Sequence, residues 1–261
     1  MSTTNSDKAW KEYGKKDPYF GVLTYDKYRD KNLTQENRDD FFQTGHKYAK
    51  YVFKNIHERL DPNFSPETVL DFGCGTGRLA IGFAESVKHV VGIDISKDML
   101  HEAQKNADLL GYNHLEFHMS DDKLSAVSDK QFDLVNCYIV LQHIKKKRGY
   151  KIISALIDRI KPGGFGVVQL NYTSQKGRIG HIMDYFRYRI PLLAGLVNLY
   201  RKRPYNEPLM QMNEYNLNKV YYILQKEGVK NLFVQMEAHG ECWGGEYWGI
   251  TIYFQKPNGL D

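Results

Sequence analysis

The 261-residue sequence predicts an α/β fold built on a parallel, doubly wound sheet, and three observations predict it. From Val69 to Leu170, apolar strand-like runs alternate with amphipathic helical segments, the pattern of right-handed βαβ crossovers. The run Thr68-Val69-Leu70-Asp71-Phe72-Gly73-Cys74-Gly75-Thr76-Gly77-Arg78 reads as a buried strand breaking into a glycine-rich turn that opens a helix. A second apolar strand, Val90 to Ile95, carries the carboxylate Asp94 near its end, seventeen residues after Gly77.

Taken in order, residues 1–38 place Trp10, Tyr13, Tyr19 and Phe20 among charged residues before any core element. Unanchored tails seldom carry aromatics this way. The segment is therefore expected to fold as a flap over a bound ligand, with Tyr13, Tyr19 and Phe20 nearest to it; docking on the outer sheet edge is the alternative. Over residues 39–60, Phe42, Tyr48, Val52, Ile56 and Leu60 form a helical stripe that ends at Asp61-Pro62.

Gly73, Gly75 and Gly77 permit positive φ and leave no Cβ in the way, so a ligand can approach the backbone where the next helix presents its N–H groups. A simple tight strand-to-helix turn is the plainer reading. In a dinucleotide fingerprint a third glycine stands where this chain has Arg78, and Asp71 precedes the first glycine by two residues. Both features point away from NAD. Asp94 lies where a carboxylate at the end of a second strand accepts hydrogen bonds from ribose hydroxyls. Ser96 is placed to cap a helix running to Leu110, with Gly111 as its left-handed stop.

Strands follow at Leu115 to Met119 and Phe132 to Val140, then a helix from Tyr150 to Ile160 stopped by Lys161-Pro162-Gly163-Gly164, then a strand from Phe165 to Leu170. The insertion 171–213 starts at the carboxyl edge of the sheet, where ligands bind, and reads as a substrate lid, with an amphipathic aromatic mixture at Tyr172, His181, Met183, Asp184, Tyr185, Phe186, Arg187, Tyr188 and Arg189. The alternative is a homodimer interface. Its most apolar run, Ile190 to Val197, is expected to be buried, with contact to a bilayer or an apolar substrate as the other option. A helix at 214–227 and strands at 231–236 and 247–254 close the chain. In the loop between those strands Trp243 is read either as an acceptor wall or as part of a tight hairpin.

Bulk properties narrow the function. One core is expected, organised as a flap (1–38), a ligand-binding core (39–172), a lid (173–213) and a C-terminal helix and hairpin (214–261). Lys and Arg exceed Asp and Glu by 36 to 31, and the excess is scattered, which argues against nucleic acid as a partner. The three cysteines are far apart and lack a C-x-x-C partner, so neither a disulfide framework nor a metal site is suggested. The first seventeen residues lack an apolar signal core, and no stretch is long and apolar enough for a membrane span. A reduced, cytoplasmic setting is expected.

The glycine run resembles motif I of the class I S-adenosylmethionine-dependent methyltransferases, of the small-molecule, methyltransferase-11/25-like type, and "LIDRIKPGGFGVVQL" is similar to their segment before strand five. The resemblance covers residues 66–171 best. It implies a Rossmann-like, mostly parallel seven-stranded sheet with helices on both faces and an antiparallel C-terminal hairpin. It also implies S-adenosyl-L-methionine as cofactor, held by Asp71, Gly73, Cys74, Gly75, Gly77 and Asp94. Ile95 or Met99 would pack on the adenine, although ordinary helix-to-sheet packing also explains Met99. Asp121, with Ser120 beside it and Asp122 as the near alternative, would receive the adenine amino group, unless these residues only start the turn. The segment around Cys137 and Tyr138 would line the methionine end, and Tyr13 and Tyr19 would cover the donor.

His143 follows at the mouth. A neutral imidazole there is suited to accept the acceptor's proton and would be switched off by protonation near pH 6.5; a structural role bridging the turn is the rival reading. The expectation is methyl transfer to oxygen, in preference to nitrogen, of a small polar acceptor such as a sugar or secondary metabolite. A macromolecule-modifying methyltransferase and a non-catalytic protein that binds S-adenosylmethionine or a nucleotide are the alternatives. "NCYIVLQHI" stands where an N/D-P-P-Y motif would favour amino groups of bases or glutamine amides.

Overall fold

Strand-forming runs pair wherever both of their faces can be covered, and here seven of them do so in the order β3-β2-β1-β4-β5-β7-β6. In a computed structural model, which describes residues 5–242 and 245–258, they are β1 (Thr68–Phe72), β2 (His89–Asp94), β3 (Leu115–Met119), β4 (Phe132–Cys137), β5 (Ile160–Ser174), β6 (Leu232–Cys242) and β7 (Gly245–Gln255). The first five are parallel, and β7 runs antiparallel to both β5 and β6. The chain order reverses between β1 and β4, so the crevice at their carboxyl ends is where a doubly wound sheet binds ligands.

Side chains alternate across the pleat, and the two faces bury separate cores. Leu70, Phe72, Val91, Ile93, Val135 and Val168 pack under the helices α6 (Lys146–Asp158) and α9 (Leu217–Lys226). Val69, Val90, Leu134, Phe165, Val167 and Tyr253 pack on the opposite face against α3 (Gln35–Arg59) and α4 (Arg78–Ala84). Each such side chain, fully buried, contributes on the order of 1.5–3 kcal/mol. A register slip by one residue would therefore be costly.

The remaining helices are α1 (Asn5–Lys16), α2 (Pro18–Val22), α5 (Lys97–Leu109), α7 (Arg178–Arg187) and α8 (Pro191–Tyr200). Ser96 caps α5, accepting from the Met99 N–H at 3.4 Å, and Gly111 beyond its end has φ +78°. The helix expected at 39–60 starts earlier, because Thr34 accepts from the Asn37 N–H and caps it at Gln35. Lys161-Pro162-Gly163-Gly164 does not stop a helix; α6 ends at Asp158 and these residues form an irregular start to β5, with a register shift against β4. Ile190 to Val197 is not buried as expected: α8 presents Leu192 and Leu196, 62% and 53% exposed. Trp243 and Gly244 lie outside the described residues. No helix among the described residues is long and apolar enough to cross a membrane.

The long helix α3 is fixed at one close crossing. A Cβ on Gly45 would lie 2.1 Å from the Arg78 carbonyl oxygen, and one on Gly82 would lie 2.4 Å from the Gly45 oxygen. Backbone meets backbone there, so nothing can rotate aside. Alanine gains up to about 1 kcal/mol of helix propensity over glycine, but forced separation of two packed helices costs more. Gly45→Ala and Gly82→Ala are each expected to lower stability by ~1–3 kcal/mol, read as a lower denaturant midpoint. An unchanged midpoint in both would refute the close crossing.

Candidate active site

The turn after β1 is built on three left-handed residues, Gly73, Gly75 and Gly77, with φ of +75°, +54° and +86°. Only glycine adopts these angles without a penalty of roughly 1–2 kcal/mol per residue. Space is as tight as conformation: a Cβ on Gly73 would lie 2.4 Å from Val140, and one on Gly75 would lie 2.6 Å from Val22 of α2. The N–H groups of Gly73 and Cys74 both donate to the Ile93 carbonyl, at 2.7 and 3.1 Å. Asp94 completes the attachment, one oxygen accepting from the Gly75 N–H at 3.0 Å and the other from the Ser96 N–H at 2.8 Å. Burial pushes its carboxyl up and the backbone N–H bonds pull it down; the net shift is upward.

Beneath the turn lies a buried polar floor. The Tyr48 hydroxyl donates to Asn136 at 2.8 Å, and the Asn136 amide donates to Asp71 at 2.8 Å. The second Asp71 oxygen is buried without a hydrogen-bond partner, and burial raises this carboxyl to about 6 against the pull of Asn136 and the Arg78 guanidinium. Arg78, itself buried, donates to Thr44 and has its Nε unpartnered, and burial lowers its pKa.

The glycine turn, Asp94, Asp71 and Arg78 line a cavity of about 870 Å³, a size that accommodates a cofactor and a small acceptor together. Of the residues singled out in the sequence, Asp71, Gly73, Cys74, Gly75, Asp94, Ile95, Met99, Ser120, Asp121, Tyr138 and His143 line it. Asp121 also serves its turn, since its Oδ1 accepts from the Lys123 and Ser125 N–H groups and the latter bond holds its pKa low. Met99 is 1% exposed and packs with Tyr13 and Phe20, so it belongs to both the wall and a small core.

Four expectations are corrected. Cys137 does not line the cavity; it points into the core beneath the sheet at 0% exposure. Gly77 stands back from the cavity as the left-handed residue that starts α4. Tyr13 turns its hydroxyl to the Pro208 carbonyl at 2.8 Å, where it pins the lid. Tyr19 is buried against Phe41, and its hydroxyl donates to Glu102 at 2.8 Å. The flap reaches the cavity instead through Ser6, Asp7 and Trp10, three residues on one face of α1, and through residues 21–25 beside the glycine turn. The i, i+1, i+4 spacing in α1 is the signal that would have found them.

His143 joins flap, core and lid. Its Nδ1 lies 2.9 Å from the Gln211 carbonyl oxygen, which can only accept, so Nδ1 carries the proton and the Nε2 lone pair remains available. Trp10 packs edge-on against the ring at 4.8 Å, and the Ser6 hydroxyl donates to the His143 carbonyl. Burial lowers the imidazole pKa to about 4. The lid supplies Asp184, Arg187, Tyr188, Arg201, Arg203, Met210 and Met212 to the cavity wall; of these Arg201, Arg203 and the two methionines were not anticipated, because nothing local in the sequence brings them back to β4.

Residues 69–164 match the family model described as "Methyltransferase domain". The chain is 33% identical over 125 residues to the 23S rRNA (uracil(1939)-C(5))-methyltransferase RlmD of Hahella chejuensis, a match covering 48% of this chain and 26% of that protein. It is 30% identical over 132 residues to the ubiquinone biosynthesis O-methyltransferase of Aromatoleum aromaticum, covering 46% of this chain and 56% of that protein. The chain thus spans between about a quarter and about half the length of these curated relatives. Magnesium protoporphyrin IX methyltransferase from Synechocystis PCC 6803, solved with bound SAM, matches with a TM-score of 0.57 at 18% identity over 98% of this chain and 99% of that one. With the strand order, the glycine turn and Asp94 in place, these matches establish that the chain has the class I S-adenosylmethionine-dependent methyltransferase fold, with a methyltransferase-domain core at residues 69–164.

Proposed function

We propose that this protein binds S-adenosyl-L-methionine and transfers its methyl group to oxygen, in preference to nitrogen, of a small polar acceptor in the cytoplasm. The observation that carries this reading is the convergence of the glycine turn, Asp94 and His143 on one cavity walled by both flap and lid. The residues suit the cofactor: the glycines let Val140 and Val22 pack directly on the turn at the cavity wall, Asp94 keeps lone pairs for ribose hydroxyls, and the unpartnered Asp71 oxygen is an acceptor left for a ligand N–H or O–H donor. When bound, S-adenosylmethionine supplies an electrophilic methyl on a sulfonium.

The chain's own work is alignment, exclusion of water and removal of one proton. Trp10 and the lid residues Met210 and Met212 close the cavity around His143, whose Nε2 accepts the proton. A base of pKa about 4 is weak, yet an oxygen that has gained a methyl and still holds its proton is strongly acidic and yields it. An alkylammonium, at about 10, would not. The depressed histidine therefore favours an oxygen acceptor. A non-catalytic binding protein would bind donor without forming S-adenosylhomocysteine, and a product assay separates the two.

Asp94→Ala is expected to weaken S-adenosylhomocysteine binding by ~2–3 kcal/mol by calorimetry, the scale of lost charge-assisted hydrogen bonds; unchanged affinity removes Asp94 from the donor site. His143→Ala should reduce turnover by roughly 10²-fold with donor affinity unaltered. The wild-type rate should hold from neutral pH down toward about 4, rather than fall through 6.5. Stability is the linked readout. The unfolded chain takes this proton near 6.5 and the folded chain near 4, so between those values the unfolded state binds more protons and stability is lost as pH falls. The loss amounts to about 3 kcal/mol, and none arises from this group above pH 6.5.

The flap and lid are read as covers that close on ligand. Hydrogen exchange in residues 5–20 and 178–213 should slow on addition of S-adenosylhomocysteine. Equal protection with and without it would make both segments fixed scaffold.

A further inference from the structure

The lid, residues 175–213, carries seven Lys or Arg against two Asp or Glu, and three of its arginines, Arg187, Arg201 and Arg203, meet at the cavity wall. Both of its carboxylates are already engaged. Asp184 accepts from Lys176 at 2.6 Å, and Glu207 accepts from Arg29 at 2.9 Å and from Arg203 at 3.3 Å. Arg187 forms no ion pair among the described residues. Its Nη2 donates to the Asn198 oxygen at 3.3 Å, and its Nε is buried with no hydrogen-bond partner. Asn198 cannot swing away, because its amide donates to the Glu207 carbonyl at 3.0 Å inside the lid.

A guanidinium held with part of its donor edge unused and facing two like charges is a poor arrangement for stability alone. Burial, and then Arg201, lower the Arg187 pKa; Tyr188 and Asp184 oppose the shift in part, and Arg203 adds to it. An anion placed among the three would satisfy the free donor and remove the repulsion, and the planar fork of arginine matches carboxylate and phosphate oxygens. Tyr188, lining the same wall, adds a hydroxyl whose pKa burial pushes up to about 12, so it stays protonated and able to donate.

We propose that Arg187, Arg201 and Arg203 form an anion-binding subsite in this cavity, and that the acceptor carries a carboxylate or phosphate group held there. The word acceptor rests on the methyl-transfer reading above; the subsite itself does not. It would orient the acceptor from the lid, while the glycine turn and Asp94 line the same cavity on the donor's behalf.

Calorimetric titration with inorganic phosphate and, separately, with benzoate at fixed ionic strength tests the subsite and tells the two anion types apart. Saturable binding of one of them to the wild-type chain is expected, weakened ~10-fold or more in Arg187→Gln and in Arg201→Gln. The second variant keeps the test open if the first fails to fold. S-adenosylhomocysteine affinity, measured on the same samples, should be unchanged by either substitution. Absence of saturable binding of both anions, or equal binding by wild type and variants, would overturn the subsite. Wild-type chain that binds anion but not S-adenosylhomocysteine would sink the methyl-transfer reading and leave the subsite standing.

Discussion

The carboxylate of Asp94 is the constraint on which the site depends. Two backbone N–H groups from different elements, Gly75 and Ser96, donate to its two oxygens, so one side chain ties the glycine turn to the start of α5. The Ile93 carbonyl, the next group back along β2, takes the N–H groups of Gly73 and Cys74. The left-handed turn closes on itself where the Gly77 N–H donates to the Cys74 carbonyl at 3.0 Å, and it has three donors held by the end of β2, that of Gly75 by the Asp94 carboxylate. Charge-assisted bonds of this kind are worth more than neutral ones, which suits a turn whose three positive φ angles give it little intrinsic stability.

A second set of contacts joins the flap to the lid without passing through the core. Tyr13 holds the Pro208 carbonyl, and Arg29 bridges Asp17 near α2 and Glu207 in the lid at 3.1 and 2.9 Å. Arg148 of α6 binds Asp7 of α1 and Asp122 after β3. They range from the Arg148–Asp122 pair, with a half-exposed carboxylate, to the Arg29–Glu207 pair, whose carboxylate is buried. They are polar contacts, whereas the two sheet cores are fixed by buried aliphatic and aromatic packing. The molecule therefore combines two apolar sheet cores with flap and lid segments joined to each other by polar contacts.

His143 links these two levels. Its Nδ1–H is committed to Gln211 of the returning lid segment, and Trp10 of the flap packs edge-on against its ring. Desolvation follows from that enclosure and lowers its basicity. Under the proposed methyl transfer, the enclosure that keeps water from the histidine would also set which protonated groups it can relieve of a proton.

The sequence by itself determined what is local or periodic: the left-handed glycines, the Ser96 cap and Gly111 stop, the placement of Asp94 beside the turn, and the alternation that yields parallel strands on two cores. It also indicated an insertion at the carboxyl edge, because strand order places that edge at the ligand crevice. It did not determine which aromatics of the flap face inward. Tyr13, Tyr19 and Trp10 are equally amphipathic in composition, and only the docking of α1 and α2 sends the tyrosines to Pro208 and Glu102 and leaves Trp10 on His143. Cys137, beside Tyr138 in the chain, alternates into the core. The meeting of Arg187, Arg201 and Arg203 and the depressed pKa of His143 arise from packing between segments distant along the chain. Burial and charge proximity are properties of that packing, and only the tertiary structure decides them.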